Sequence, residues 1–92
     1  MNQFICKAIN SSLLLGFTYK GVKRWVEPHT YGGRSKGGDG LCAWQTVGGS
    51  GEGFRLFLTS EMDALETGAS FGGPRPGYSR GDAQFAHIYA EL

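Results

Sequence analysis

Six side chains carry most of the binding chemistry in this sequence: Tyr19, Arg24, His29, Tyr31, Trp44 and Arg55. Three of them fall within one dense run, Arg24-Trp25-Val26-Glu27-Pro28-His29-Thr30-Tyr31. An arginine fork matches the oxygens of a phosphate or carboxylate, and an aromatic face stacks on a base or another ring. Two arginines from different strands, facing one cleft among aromatics, suit a nucleotide or a short single strand. The ordinary alternatives stand beside this reading. Trp25 and Trp44 are of the type that packs small β cores, Arg24 and Arg55 are of the type that forms ion pairs, and a histidine after a proline is commonly hydrogen-bonded within the fold.

Catalytic and metal chemistry find less support. His29 and His87, with the distant Cys6 and Cys42, lack the spacing of a metal-ligand set. The carboxylates are scattered, with no pair placed for acid–base work. Nothing local marks Cys42 as a nucleophile activated by His29. The run Gly48-Gly49-Ser50-Gly51-Glu52-Gly53 is not followed by Gly-Lys-Ser/Thr, so it is a hairpin loop rather than a phosphate loop. The expectation is a non-enzymatic protein with no cofactor and no metal.

The elements that must position these residues follow from composition and pattern. The 92 residues suit one domain, and 40% hydrophobic with 18% charged residues is a globular balance. Nine of the 16 glycines fall between Gly32 and Gly53, which argues for turns and bulges rather than long helices. The fold class expected is mainly β with one or two short helices, an α+β domain. Net charge is +1, but Lys20 to Lys36 holds five bases against one acid, Glu27, while Asp39 onward holds seven acids against three bases. That asymmetry favours an anionic ligand at the first half, although a near-neutral total suits duplex DNA poorly. No signal-peptide pattern and no apolar run of ~20 residues occurs, so a cytoplasmic protein is expected.

Phe4, Ile5, Ala8 and Ile9 predict a helix over about 2–12, ending at Ser11-Ser12. Leu13 to Tyr19 alternates as a strand, Lys20-Gly21 forms a two-residue turn, and Val22 to Tyr31 returns. A loop of two residues pairs Tyr19 with Val22, Phe17 with Arg24 and Leu15 with Val26, and so places Arg24 on the apolar face, whereas a slip of one residue sends Arg24 to solvent. Pro28 marks a strand end, an edge or a bulge. Gly32 to Gly40 reads as a loop, with strands at Leu41–Val47 and Phe54–Leu58. Met62 to Thr67 reads as a fifth strand or a single turn, and Gly72 to Gly77 as an extended loop. Asp82 is placed to cap a terminal helix with Phe85, Ile88, Tyr89 and Leu92 on one side. A strand alternating Phe85, His87 and Tyr89 is the competing reading, and the helix is favoured.

The run from Tyr19-Lys20-Gly21 through Arg24 to Gly32 resembles the opening of a WYL domain. Leu41-Cys42-Ala43-Trp44-Gln45 follows at the place of that family's namesake strand. Gly48 to Phe57 is similar to its loop and R-x-F strand, and Phe71 to Asp82 to the closing segment of short stand-alone members. The resemblance covers most of residues 13–82. It implies a small Sm-like or SH3-like five-stranded β-barrel over about 13–67, followed by a loop and helix over 68–92. It also implies a ligand-sensing or regulatory module for a nucleotide or short nucleic acid, with pocket roles for Tyr19, Arg24, His29 and Arg55. Such modules serve transcription regulation or phage defence, including sequestering a signalling nucleotide. The chain departs from the pattern at Asp39-Gly40, which stand for the Trp-Tyr of the namesake triplet, and at Glu61, where many members carry a base. The alternative, from another class, is a protein–protein or homo-oligomerisation module that uses the barrel's edge and takes no small ligand.

Overall fold

The computed structural model describes residues 1–92 as one helix and six strands. Helix α1 spans Gln3–Asn10, and the Asn2 side-chain oxygen caps it by accepting from the Phe4 and Ile5 N–H groups. Its buried face is Ile5, Cys6, Ala8 and Ile9. Phe4, expected on that stripe, is instead 42% exposed.

Strand β1 (Leu13–Tyr19) turns through Lys20-Gly21 into β2 (Val22–Arg34). Both turn residues have positive φ, at 51° and 76°, the geometry that matches the natural twist of a two-residue hairpin. The register is the one the alternation gives: Leu15 opposite Val26, Phe17 opposite Arg24, Tyr19 opposite Val22. Strands β3 (Asp39–Val47), β4 (Gly53–Leu58), β5 (Met62–Ser70) and β6 (Phe85–Glu91) complete the sheet, with a 3-10 turn at Thr59–Glu61 before β5. All pairings are antiparallel.

Three expectations are corrected. The segment 32–34 is strand rather than loop, since β2 runs on to Arg34 and pairs β3 through Gly33. The terminal helix is instead β6, which pairs residues 30–34 of β2. That part of β2 has a free edge whose backbone groups need partners, and a strand satisfies them where a helix cannot. Asp82 does cap, but as a turn: its carboxylate accepts from the Gln84 N–H as β6 begins. Finally, the five-stranded closed barrel gives way to an open six-stranded sheet of order β4-β3-β2-β1-β5, with β6 beside β2. The 3-10 turn joins β4 to β5 without pairing them, so the sheet stays open, with β4, β5 and β6 each paired on one side only.

Strand β2 organises this arrangement. It keeps β3 on one side along most of its length, but on the other side it exchanges β1, which pairs up to Val26, for β6, which begins at Thr30. At the exchange, Pro28 pairs with Ala43 and Thr30 with Cys42, so His29 is an extra residue without a partner on β3. This bulge reverses the alternation. Glu27 and His29 point to the outer face, while Tyr31 turns inward onto α1.

The inner face holds the core. Phe17, Tyr19 and Phe57 meet edge to face at 5.0–6.2 Å, with α1, Leu15, Val26 and Leu41 packed around them. On the outer face Trp25 lies across Gly16 and Gly68, where an added Cβ would come within 2.8–2.9 Å of its ring. No helix is long and apolar enough to cross a membrane.

Gly32 lets β6 approach: a Cβ there would sit 2.1 Å from the His87 carbonyl oxygen. Gly32→Ala is therefore expected to cost about 3 kcal/mol, whereas Gly72→Ala, with open space around it, changes stability by less than about 0.5 kcal/mol. Urea denaturation of the two variants checks this, and equal midpoints would contradict the β2–β6 packing.

Candidate functional site

The six sequence-derived candidates separate into three places. Tyr19, Arg24 and Arg55 come together on the inner face, at the end of the sheet beneath the β3–β4 loop. Arg24 donates to the Gln45 side-chain oxygen at 3.0 Å and to the Tyr19 carbonyl at 3.3 Å, and its guanidinium lies 5.6 Å from the Tyr19 ring centre. Gln45 in turn donates to the carbonyls of Gly48 and Gly51 at 2.6 and 2.8 Å. Arg55 donates to the Phe54 and Gly51 carbonyls and to the Ser50 hydroxyl. Neither arginine has a carboxylate partner. Both are bound instead to neutral oxygens, and Arg55 and Gln45 reach the loop from Gly48 to Gly53 through Ser50, Gly51 and Gly48. The arrangement braces a hairpin.

Tyr31 occupies a second place, buried between α1 and β6. Its hydroxyl accepts the Asn2 N–H at 2.7 Å, and its ring meets the Tyr89 ring at 5.1 Å. Burial pushes its phenol pKa up. It is a core residue.

His29 and Trp44 stand on the outer face, where the segment 71–84 crosses the sheet as a strap. Glu27, Trp44 and Phe54 are direct neighbours across β2, β3 and β4. Arg75, from the strap, grips the Glu27 carboxylate with two hydrogen bonds of 2.8 Å and lies 5.0 Å from the Trp44 ring centre. Those bonds hold the Glu27 carboxyl below its usual range. Beside them, the Arg75 backbone N–H donates to His29 Nε2 at 3.0 Å, and His29 Nδ1 lies 2.7 Å from the Glu27 carbonyl. A carbonyl only accepts and an N–H only donates, so His29 is neutral with its proton on Nδ1. Phe54, Phe71 and Tyr78 surround the ring. The Tyr78 hydroxyl also reaches Thr30 and the Leu92 carbonyl.

The strap leaves two hollows on the outer face, meeting at Ala83. One, of about 330 Å³, lies against Cys42 and Phe54 and is walled by residues 77–83. The other, of about 300 Å³, lies against Leu56 and is bounded by Arg34, Ser35, Lys36 and Gln84. Volumes near 300 Å³ are at the small end for ligand pockets, so the two together are the roomier site. Arg34 and Lys36 have no carboxylate within ion-pair distance. Arg80, on the first hollow, is tied to Glu91 at 3.1 Å. Asp82 supplies an opposing charge, and burial lifts the Cys42 thiol to about 11, so it is a poor nucleophile at neutral pH. No three His, Cys, Asp or Glu side chains cluster to hold a metal.

Sequence reading missed Glu27, Arg75 and Tyr78. The available signals were slight: a single acid inside a basic run, and an arginine between two prolines. No family model, curated protein or solved structure matches this chain.

Glu27 contributes stability that is complete above its ordinary pKa of 4.5 and is lost as pH falls through its lowered folded value. Glu27→Gln is expected to remove that part of the acid limb. It also raises amide exchange across 71–84 by about an order of magnitude at pH 7, leaving α1 and β1 protected. Exchange mass spectrometry reads this directly. Unchanged strap protection would show that Arg75 does not anchor it.

Proposed function

We propose that the protein is a non-enzymatic binding module that takes a nucleotide or short single-stranded nucleic acid along the outer-face hollows. The observation that carries this is the pair of bases without acidic partners, Arg34 and Lys36, beside adjoining hollows lined by Leu56, Phe54 and Tyr78. The bases supply the charge for phosphate, and Phe54 and Tyr78 supply apolar surface for a ring. Arg24 and Arg55 have a different task, since Arg55 holds the β3–β4 loop directly and Arg24 holds Gln45, which binds the same loop. The WYL-like run of residues agrees with a regulatory role in transcription or phage defence, such as sequestering a signalling nucleotide, on an Sm-like or SH3-like sheet.

A second reading is supported by the open sheet. The free edges of β4 and β5 present unpaired backbone groups, the feature through which strands of another chain add on. A dimer or larger assembly in sedimentation, unaffected by Arg34→Ala with Lys36→Ala, favours this docking role.

Calorimetric titration with cyclic and linear nucleotides and short single strands tests the first reading. Binding is expected at micromolar levels. The double substitution Arg34→Ala, Lys36→Ala should weaken it by about tenfold or more and flatten its salt dependence. No binding across the panel, or binding abolished by Arg24→Ala but indifferent to the double variant, overturns the assignment.

A further inference from the structure

The strap is held by a histidine that accepts a hydrogen bond. His29 is fully buried, and its Nε2 lone pair is the acceptor for the Arg75 backbone N–H. Three further contacts converge on the strap from the same patch: the Glu27 carboxylate on the Arg75 side chain, Thr30 on the Tyr78 hydroxyl, and Trp44 beneath the Arg75 guanidinium. Of these groups, only His29 has an ordinary pKa near neutrality, 6.5.

We propose that residues 71–84 form a proton-released strap, closed while His29 is neutral and opened from the outer face when His29 Nε2 takes a proton. The proton comes from solvent and occupies the lone pair that holds Arg75. The Arg75 N–H then faces an N–H, and an imidazolium stands beside the Arg75 guanidinium. The groups around the ring, charged and titratable ones included, come from β2, β3, β4, β6 and the strap; on β6, Glu91 lies opposite Thr30 and is already held by Arg80 and the Gly81 N–H. From β2 it is Glu27, whose carboxylate is already held by Arg75 and whose carbonyl is already taken by Nδ1. From the strap they are Arg75 and Tyr78. From β3 and β4 the neighbours are Trp44 and Phe54, which carry no charge, and Arg55 points to the opposite face. No free carboxylate is left to receive the new cation, so the ring gains solvation only if the strap lifts. Because the strap walls the first hollow, opening dismantles that hollow and uncovers Trp44 and Phe54. This release is independent of what the hollows bind.

The sign follows from linkage. Burial, the largest influence on His29, holds its pKa in the closed form below 6.5. The open form therefore binds the proton more readily, and opening increases as pH falls below 6.5. Between pH 7.5 and 5.0 the opening equilibrium of 71–84 rises by up to about thirtyfold. Glu27 remains ionised throughout this interval, so the two effects are separable.

Exchange mass spectrometry of the full chain from pH 7.5 to 5.0, corrected for the intrinsic rate of exchange, tests this without any ligand. Peptides from 71–84 should lose protection while β1 and β3 keep theirs, and His29→Gln should remove the pH dependence. His87→Gln, at an exposed position, should leave it intact. A wild-type strap equally protected at both pH values, or the same opening in His29→Gln, overturns the proposal. Should His29→Gln not fold, NMR titration of the wild type decides: the His29 ring and the Arg75 amide must shift with one midpoint below 6.5. An Arg75 amide that stays fixed while His29 titrates is the contrary result.

Discussion

One extra residue in β2 sets the character of the whole molecule. At the point where β2 exchanges β1 for β6, Pro28 and Thr30 face consecutive residues of β3, and His29 is left over. Pro28 has no N–H to leave unpaired at this break, which makes it a natural residue there. The bulge places Glu27, His29 and Thr30 on one outer patch and turns Tyr31 into the core. A strictly alternating strand would instead send Tyr31 outward and Thr30 inward. The contact between Tyr31 and α1 and the seat of the strap therefore depend on the same irregularity.

The two faces of the sheet consequently use their polar groups differently. On the inner face, Arg24 is bound to the Gln45 side chain and the Tyr19 carbonyl and Arg55 to oxygens of the β3–β4 loop, beside a dense aromatic cluster. The Arg24 Nε is buried without an acceptor, a local cost that the surrounding contacts must outweigh. On the outer face, a partly buried ion pair and a neutral histidine fasten a segment with no regular structure of its own. Charge-assisted hydrogen bonds and four aromatic rings around Arg75 and His29 do there what ladder hydrogen bonds do elsewhere. Segments held by few side-chain contacts are the ones that open first.

Much of the fold was legible where local rules decide it. A two-residue Lys20-Gly21 turn implies the first hairpin's register, and with it the inward position of Arg24, and the structure has that register. The charge on Arg24 suggested an anionic ligand, but a glutamine and a carbonyl answer it, and no pattern in the sequence announces that pairing. The terminal segment was misread for a similar reason. Phe85, Ile88, Tyr89 and Leu92 satisfy helical spacing, whereas the deciding influence is the open edge of β2 beside Gly32, 55 positions away from His87 in the chain. Likewise Glu27 and Arg75 lie 48 residues apart, so only the folded chain brings them together.

The strap's attachment ties the outer face together, and the protonation site of His29 reports it most directly. Nitrogen-15 NMR of the imidazole at pH 7.5 distinguishes the two neutral tautomers, and coupling across the hydrogen bond identifies the donor. The structure requires the proton on Nδ1, with Nε2 coupled to the Arg75 amide. A proton on Nε2, or a ring whose nitrogens exchange freely with water, would contradict it.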